Sequence, residues 1–266
     1  MKPVWYKFVF LGMLKVVIIG TGNVAFHLFK AFQTTDKVSV VQVVGRDKNV
    51  LSTFEDEAII ETDLKKVKQA DFYLLAVSDT AIFEVAQQLR NKKGIVAHTA
   101  GSVSIDALND HLSYGVFYPL QTFSKERPVD FSVIPICVEA NTRTALARLE
   151  KLADTLSDSV YQISSKQRRQ LHLSAVFVNN FPNHLFTIAA TICRDHDVSF
   201  DLLKPLIGET ANKIRFLDPQ TAQTGPARRN DIETMQRHLD ELKHPLHKKI
   251  YQLLSESIRQ AHEEKL

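Results

Sequence analysis

Two rhythms of apolar positions run along the chain, and one gives way to the other past its middle. From Leu14 to about Ile163, short apolar runs rich in β-branched residues alternate with stretches of helical spacing. The runs are KVVIIG (15–20), SVVQVVG (Ser39 to Gly45), DFYLLAV (Asp71 to Val77), GIVAHTA (Gly94 to Ala100), VFYPL, VIPICVEA and VYQI (Val160 to Ile163). AFHLFKAF, residues 80–91 and TALARLEKLADTL (Thr144 to Leu156) carry the helical spacing. Strands that are apolar throughout, interleaved with helices, predict a mostly parallel sheet covered on both faces. After about Ser164 the strand-like runs stop. The spacing predicts a long helix over 166–194 that Pro182 kinks or breaks near Asn180. A second helix over 199–216 has Ser199 as its N-cap, and two more follow over 231–242 and 246–262. The chain therefore divides into an α/β domain, 1–164, and an all-helical domain, 165–266.

Composition narrows the function classes. The 266 residues are 44% hydrophobic, enough for a substantial core, and the length suits two domains better than one or three. A net charge of +3 is too balanced to imply nucleic acid or an anionic membrane as the main partner. Cys137 and Cys193 are too few for a disulfide framework and match no paired-ligand metal spacing. Residues 8–19, FVFLGMLKVVII, have no small-residue cleavage site after them and are shorter than the ~20 residues of a membrane span. They read as the first core strand behind a dispensable extension, residues 1–12, and the protein is expected in the cytoplasm.

The sharpest chemical signal is Gly20-Thr21-Gly22-Asn23-Val24-Ala25, a G-x-G-x-x-A between a strand and a helix. Gly20 allows the tight turn, Gly22 lets the backbone approach a pyrophosphate, and Ala25 keeps the helix close to the sheet. Amides at the helix start then face the negative charge of a dinucleotide. The second strand ends Val44-Gly45-Arg46-Asp47. No acid stands at its tip to bond a ribose 2′-hydroxyl, whereas Arg46 suits a 2′-phosphate, so NADP(H) is expected over NAD. Asp47 comes one position late and reads as a helix cap. The turns Val77-Ser78-Asp79-Thr80 and His98-Thr99-Ala100-Gly101 follow the next strands and fall at the carboxyl edge of the sheet, beside the cofactor. Asp79 has an alternative reading as an N-cap, and Ser102 as a residue that shapes its turn.

In the helical half, His172 and Asn179 are seven residues apart and share a helix face, with Asn180 just ahead of Pro182. An imidazole there suits proton transfer accompanying hydride transfer, and an amide suits holding a substrate oxygen. The alternative is that His172 satisfies a buried hydrogen bond and the two Asn residues cap a helix end. Arg228, Arg229 and Asp231 lie in a Gly-Pro-rigidified loop from Thr224 to Asp231. They either converge on an anion or form a cap with its paired Arg. His238, His244 and His247 lack a matched ligand pattern and read as solvated, so no metal is expected.

The motifs GTGNVA, AVSD, HTAGSVS, YPLQTF (Tyr118 to Phe123), HLSAVFVNNF (His172 to Phe181) and TGPARRND (Thr224 to Asp231) carry a resemblance over residues 14 to 264. The amino-terminal half resembles the NADP-binding domain of the pyrroline-5-carboxylate reductase and deazaflavin-dependent NADP reductase group. The whole chain resembles a bacterial family that joins such a domain to a helical domain of unknown function. The resemblance implies a Rossmann-type, mostly parallel sheet followed by an all-helical domain like the C-terminal domain of 6-phosphogluconate dehydrogenase. It implies that His172 and Asn180 face a substrate beneath the nicotinamide. It also implies homodimerisation through the helical half. The chain departs from the family pattern at Tyr118, where His is common, and at Asn230, where Gly is common and where Asn can still take a left-handed conformation. The function expected is NADP(H)-dependent hydride transfer with a small carbonyl or imine. The alternative is a protein that binds or senses NADP(H) without turnover.

Overall fold

A computed structural model describes residues 12–263 apart from residue 56, so the extension expected ahead of Gly12 lies outside the described residues. The chain forms two compact units, 1–179 and 180–266.

The first unit is built on one eight-stranded sheet. Its strands are β1 (Leu14–Ile19), β2 (Val38–Val44), β3 (Ile59–Glu61), β4 (Phe72–Leu75), β5 (Ile95–His98), β6 (Tyr114–Pro119), β7 (Ile136–Ala140) and β8 (Val160–Gln162). Their order across the sheet is β3-β2-β1-β4-β5-β6-β7-β8. All pairs are parallel except β6 with β7, where Tyr118 stands opposite Cys137. Strand β3, only three residues long, forms the edge and was not legible as a separate strand.

Alternation along each strand explains why the runs are apolar throughout. Val16 and Ile18 point into one core with Phe72 and Leu74, beneath the helices α1 (Asn23–Gln33) and α4 (Arg143–Ala153), through Leu28, Phe29, Phe32, Leu149 and Leu152. Val17 and Ile19 point the other way with Tyr73 and Leu75, under Ile82 and Leu89. The short α2 (Lys48–Leu51) follows β2. The helix expected over 80–91 is a 3-10 turn followed by α3 (Ile82–Gln87).

Strand order reverses between β1 and β4, because the chain runs from β1 outward to β3 and then crosses back. A crevice opens at such a switch point, above the carboxyl ends of the strands. The last helix of this unit is α5 (Ser165–Ala175), held at its start by a capping box between Ser164 and Gln167. The unit thus extends fifteen residues past the boundary placed at 164/165 from the sequence.

Of the kink or break expected near Asn180, the structure has a disturbance at that place but no break. The turns at Val176–Asn180 widen instead into a π-helix that leads into α6 (Phe181–Asp195). Proline offers no N–H to the carbonyl four residues back, and a wider turn is one way to absorb that loss. The widening adds about one residue to the helical phase, so the seven-residue count from His172 to Asn179 no longer marks a shared face.

The second unit continues with α7 (Lys204–Lys213), α8 (Pro219–Ala222), α9 (Ile232–Glu241) and α10 (Pro245–Glu263). The helix expected from 199 starts as a 3-10 turn capped by the Ser199 hydroxyl, and resets to α-helix around Pro205. Among the described residues, no side chain of α6, α7 or α9 is buried.

Candidate functional site

The glycine-rich turn is shaped by three different glycine requirements. Gly20 has φ +129°, and a Cβ on it would fall 2.1 Å from the Ala76 carbonyl oxygen. A side chain is therefore excluded by both conformation and space. Gly45, at the end of β2, faces the turn so closely that a Cβ would lie 2.5 Å from Cγ2 of Thr21. At Gly22 a Cβ would meet nothing within 4 Å. This glycine fronts open space and keeps the approach to the helix start clear. No side chain caps α1 and its first turn holds no acidic residue, so the dipole and leading amides stay available to an anion. Ala25 is fully buried against the sheet, as its place in the motif requires. Val24 is half-buried. The Asn23 side chain donates to the Phe123 carbonyl at 2.7 Å, and the His27 ring bonds the Ser124 carbonyl at 2.9 Å. Asn23 therefore contributes its amide, not its side chain, to the helix start, and the YPLQTF segment is clamped onto α1.

Beyond β2, Arg46 is exposed and has no side-chain partner among the described residues. Asp47 is spent as a cap, accepting from the amides of Asn49 at 2.8 Å and Val50 at 3.4 Å. An open cradle with uncapped amides and a free guanidinium nearby fits a phosphorylated dinucleotide.

After β4, Val77 is half-buried while Ser78, Asp79 and Thr80 are exposed. Ser78, not Asp79, holds the N-cap position of the turn that follows, so the capping alternative for Asp79 fails. The Asp79 carboxylate instead accepts from the Ser102 hydroxyl. After β5, His98 is fully buried, and its Nδ1 accepts from the Ala100 amide at 3.2 Å. Its side chain shapes the turn from inside and does not reach the surface where a cofactor would lie. Burial, with the Arg168 cation, lowers its pKa to about 4, so the ring is neutral. Thr99 is buried and its hydroxyl donates to the Leu75 carbonyl at 3.3 Å. Gly101 makes room for His172, since a Cβ there would sit 2.6 Å from the imidazole Nδ1.

His172 is held from a second side by Tyr118, whose hydroxyl lies 3.1 Å from Nδ1. The rings meet edge to face with centroids 6.2 Å apart. Burial pushes the Tyr118 phenol up to about 12, so it stays protonated and suits donation to Nδ1. The residue that departs from the family pattern is thus the partner of the expected proton carrier.

Sequence reasoning missed what fixes α5. Arg168, one helical turn before His172, is fully buried; it pairs with Glu139 of β7 and donates to the carbonyl of Val103. Ser165 joins the same knot, its amide and hydroxyl bonding Glu139 at 2.9 and 2.7 Å. The Ile105 amide donates to the Ser165 hydroxyl at 2.9 Å. The i, i+4 spacing of Arg168 and His172 was a usable signal, but it names neither partner.

Asn180 and Arg229 belong to the second unit, and both are exposed. Asn180 makes no side-chain cap. Asp231 caps α9 by accepting from the Thr234 amide at 3.1 Å, and Asn230 takes the left-handed conformation at φ 53°. Arg228 donates to the Gln223 carbonyl. The charge of Arg229 acts on Asp231 as a minor contribution, after hydrogen bonds from Thr234, to a carboxyl held below its usual range. His238 bonds the Tyr251 hydroxyl at 2.8 Å, and His244 stacks on His247 with centroids 4.4 Å apart. Among the described residues no three His, Cys, Asp or Glu side chains are placed to hold a metal. No described helix is long and apolar enough to cross a membrane.

Residues 15–109 match the family described as NADP oxidoreductase, coenzyme F420-dependent, and residues 134–258 match a domain family of unknown function, DUF2520. No curated protein matches the sequence. A crystal structure from Bacteroides fragilis, provisionally described as an NADP oxidoreductase, is 40% identical, covers 93% of this chain and 98% of its own, and superposes with a TM-score of 0.88. Two more distant structures share the fold. A reductive aminase from Aspergillus terreus, solved with NADPH and ethyl levulinate, is 14% identical over 94% of this chain and 95% of its own, with a TM-score of 0.66. The 1-pyrroline-5-carboxylate reductase of Streptococcus pyogenes is 15% identical over 94% and 99%, with a TM-score of 0.63.

Proposed function

The chain belongs to the NADP oxidoreductase family, and from that premise we propose that it transfers hydride between NADP(H) and a small carbonyl or imine compound. The observation that carries this reading is the uncapped start of α1 behind Gly20, Gly22 and Gly45, with Arg46, exposed and without a side-chain partner among the described residues, beyond it. The amides of Thr21 to Ala25 would hold the pyrophosphate and Arg46 the 2′-phosphate. Val77, Ser78, Thr99 and Gly101 border the crevice toward the nicotinamide end. NADPH, when bound, supplies the hydride; the protein supplies orientation and a proton. His172 is the proton donor of this reading. For that transfer the ring would carry protons on both nitrogens, Nδ1–H donating to the Tyr118 oxygen and Nε2–H passing to the substrate, which returns the ring to neutrality. Asn180 is assigned to substrate binding on the resemblance, and Arg229 to an anion on its place in the Thr224 to Asp231 loop.

A second reading, binding of NADP(H) without turnover, is favoured by Tyr118 itself. A phenol raised to about 12 does not exchange protons near neutral pH as a histidine at this position would. The experiment that separates the two follows NADPH consumption with a panel of small ketones and cyclic imines. Hydride transfer predicts consumption with at least one compound, abolished in Gly22→Asp, where a carboxylate intrudes on the phosphate cradle. Tight NADPH binding with no consumption across the panel supports the second reading instead.

The helical unit is proposed to pair with a second copy of the chain. Its helices leave no side chain of α6, α7 or α9 buried, and residues such as Leu202, Leu206, Phe216 and Leu253 are among its exposed apolar groups.

A further inference from the structure

Helix α5 meets the segment that follows β5 at three points. The Ser165 hydroxyl accepts from the Ile105 amide at 2.9 Å. Arg168 donates to the Val103 carbonyl. The His172 ring lies against Gly101, where a Cβ would come within 2.6 Å of Nδ1. Residues 165, 168 and 172 share one face of the helix, about a turn apart. Their partners 105, 103 and 101 are alternate residues of the segment, taken in reverse order. The first turn of α5 therefore holds the far end of the segment, and its last turn meets the near end. The residues between are engaged elsewhere: the Ser102 hydroxyl donates to Asp79, and Ser104 caps the 3-10 turn that starts at Ile105. Glu139 of β7 completes the grip. It accepts from the amide and hydroxyl of Ser165 at 2.9 and 2.7 Å and pairs with the Arg168 guanidinium. All of these residues lie in the first unit.

His172 needs such support more than a mid-helix residue would. It stands in the last turn of α5, just ahead of the π-turn at 176–180. A helix end beside a widened turn has little rigidity of its own. Apolar packing supplies only part of it, since α5 buries Ser165 and Arg168 alone, and Leu171 is half-buried against Tyr118 and Cys137. A group that must meet a substrate at a fixed angle has to be locked by its neighbours. The Arg168 guanidinium is suited to this because it is a fork. One arm takes Glu139, and the other takes the Val103 carbonyl and, at 3.1 Å, the Ser165 hydroxyl.

We propose that Arg168 is a positioning residue, which by gripping Val103 makes the turn at Gly101 and the His172 ring one rigid body. The border of the crevice and the proton donor then keep a fixed spacing. Arg168 is fully buried and acts through these two neighbours. This rests on the reading of His172 as the proton donor, and it deepens that reading.

The test reads the contact itself. The full-length protein is deuterated except at glycine, histidine and tyrosine, and NMR cross-relaxation is followed from Gly101 to the His172 ring and from that ring to Tyr118. Wild type should show both cross-peaks. Arg168→Lys keeps a charge for Glu139 but has no second arm for Val103, so the Gly101 cross-peak should be lost while unfolding stays cooperative. Glu139→Leu with Arg168→Leu keeps the site filled without the grip, and should lose the same cross-peak. A pair that served stability alone would leave the cross-peak in place in both proteins. With a compound that wild type reduces, Arg168→Lys should lower kcat about tenfold or more and leave the KM for NADPH unchanged. Full cross-peaks in folded Arg168→Lys overturn the proposal, as does their absence from wild type or a lost cross-peak with unchanged kcat. Should the double variant fail to fold, Arg168→Lys decides alone. Failure of wild type to turn over NADPH condemns the hydride-transfer reading by itself, since the cross-peaks are read without cofactor.

Discussion

Four glycines carry much of the candidate site. Gly20 is required by its conformation and by the Ala76 carbonyl, and Gly45 and Gly101 by the atoms of Thr21 and His172, whereas Gly22 leaves open space in front of a helix. Gly20 and Gly22 were legible because a strand, a turn and a helix start stand in sequence around them. The need for Gly101 was not, because its neighbour His172 arrives from seventy-one residues away. His98 makes a quantitative test at this scale. Its pKa is near 6.5 when unfolded and about 4 when folded, so between those values the unfolded chain takes up a proton that the folded one refuses. Its contribution to stability is therefore full above pH 6.5 and is lost as pH falls to 4, by about 3 kcal/mol in all. Chemical denaturation across this range should show that extra loss in wild type and not in His98→Gln. Parallel pH dependence in the two proteins would contradict the burial argument.

At the scale of elements, α5 is placed by an ionic knot and not by an apolar stripe. Its sequence, SKQRRQLHLSA, is mostly polar, and only Ser165 and Arg168 of it are buried. A period of 3.6 identifies such a helix but not what it docks against. The partner Glu139 lies twenty-nine residues earlier at the end of a strand, beyond any local pattern. Removing one member of a buried pair strands the other, so Glu139→Ala should cost about 3 kcal/mol in denaturant unfolding. Replacing both, as Glu139→Leu with Arg168→Leu, should recover most of that loss. A single variant as stable as wild type would show that the knot does not hold α5. The π-turn at 176–180 teaches a similar lesson. Pro182 announced a disturbance in the helix, yet whether a helix breaks, kinks or widens depends on what surrounds it.

At the scale of the molecule, the alternation of strands and helices was enough to name a mostly parallel sheet and its approximate strands. The antiparallel pairing of β6 with β7 and the unit boundary at 179/180 were not readable, since both depend on long-range packing. The helical unit buries little by itself, and light scattering at micromolar concentration should give about twice the mass of one chain; a monomer would contradict pairing through this unit. The central claim concerns the crevice of the first unit, and calorimetric titration with NADPH and with NADH tests it most directly. A charge-assisted contact contributes about 1.5–3 kcal/mol, so NADPH should bind tenfold or more tightly than NADH, and Arg46→Glu should erase the difference. Binding of neither nucleotide, or equal binding of both with Arg46 intact, would contradict the account.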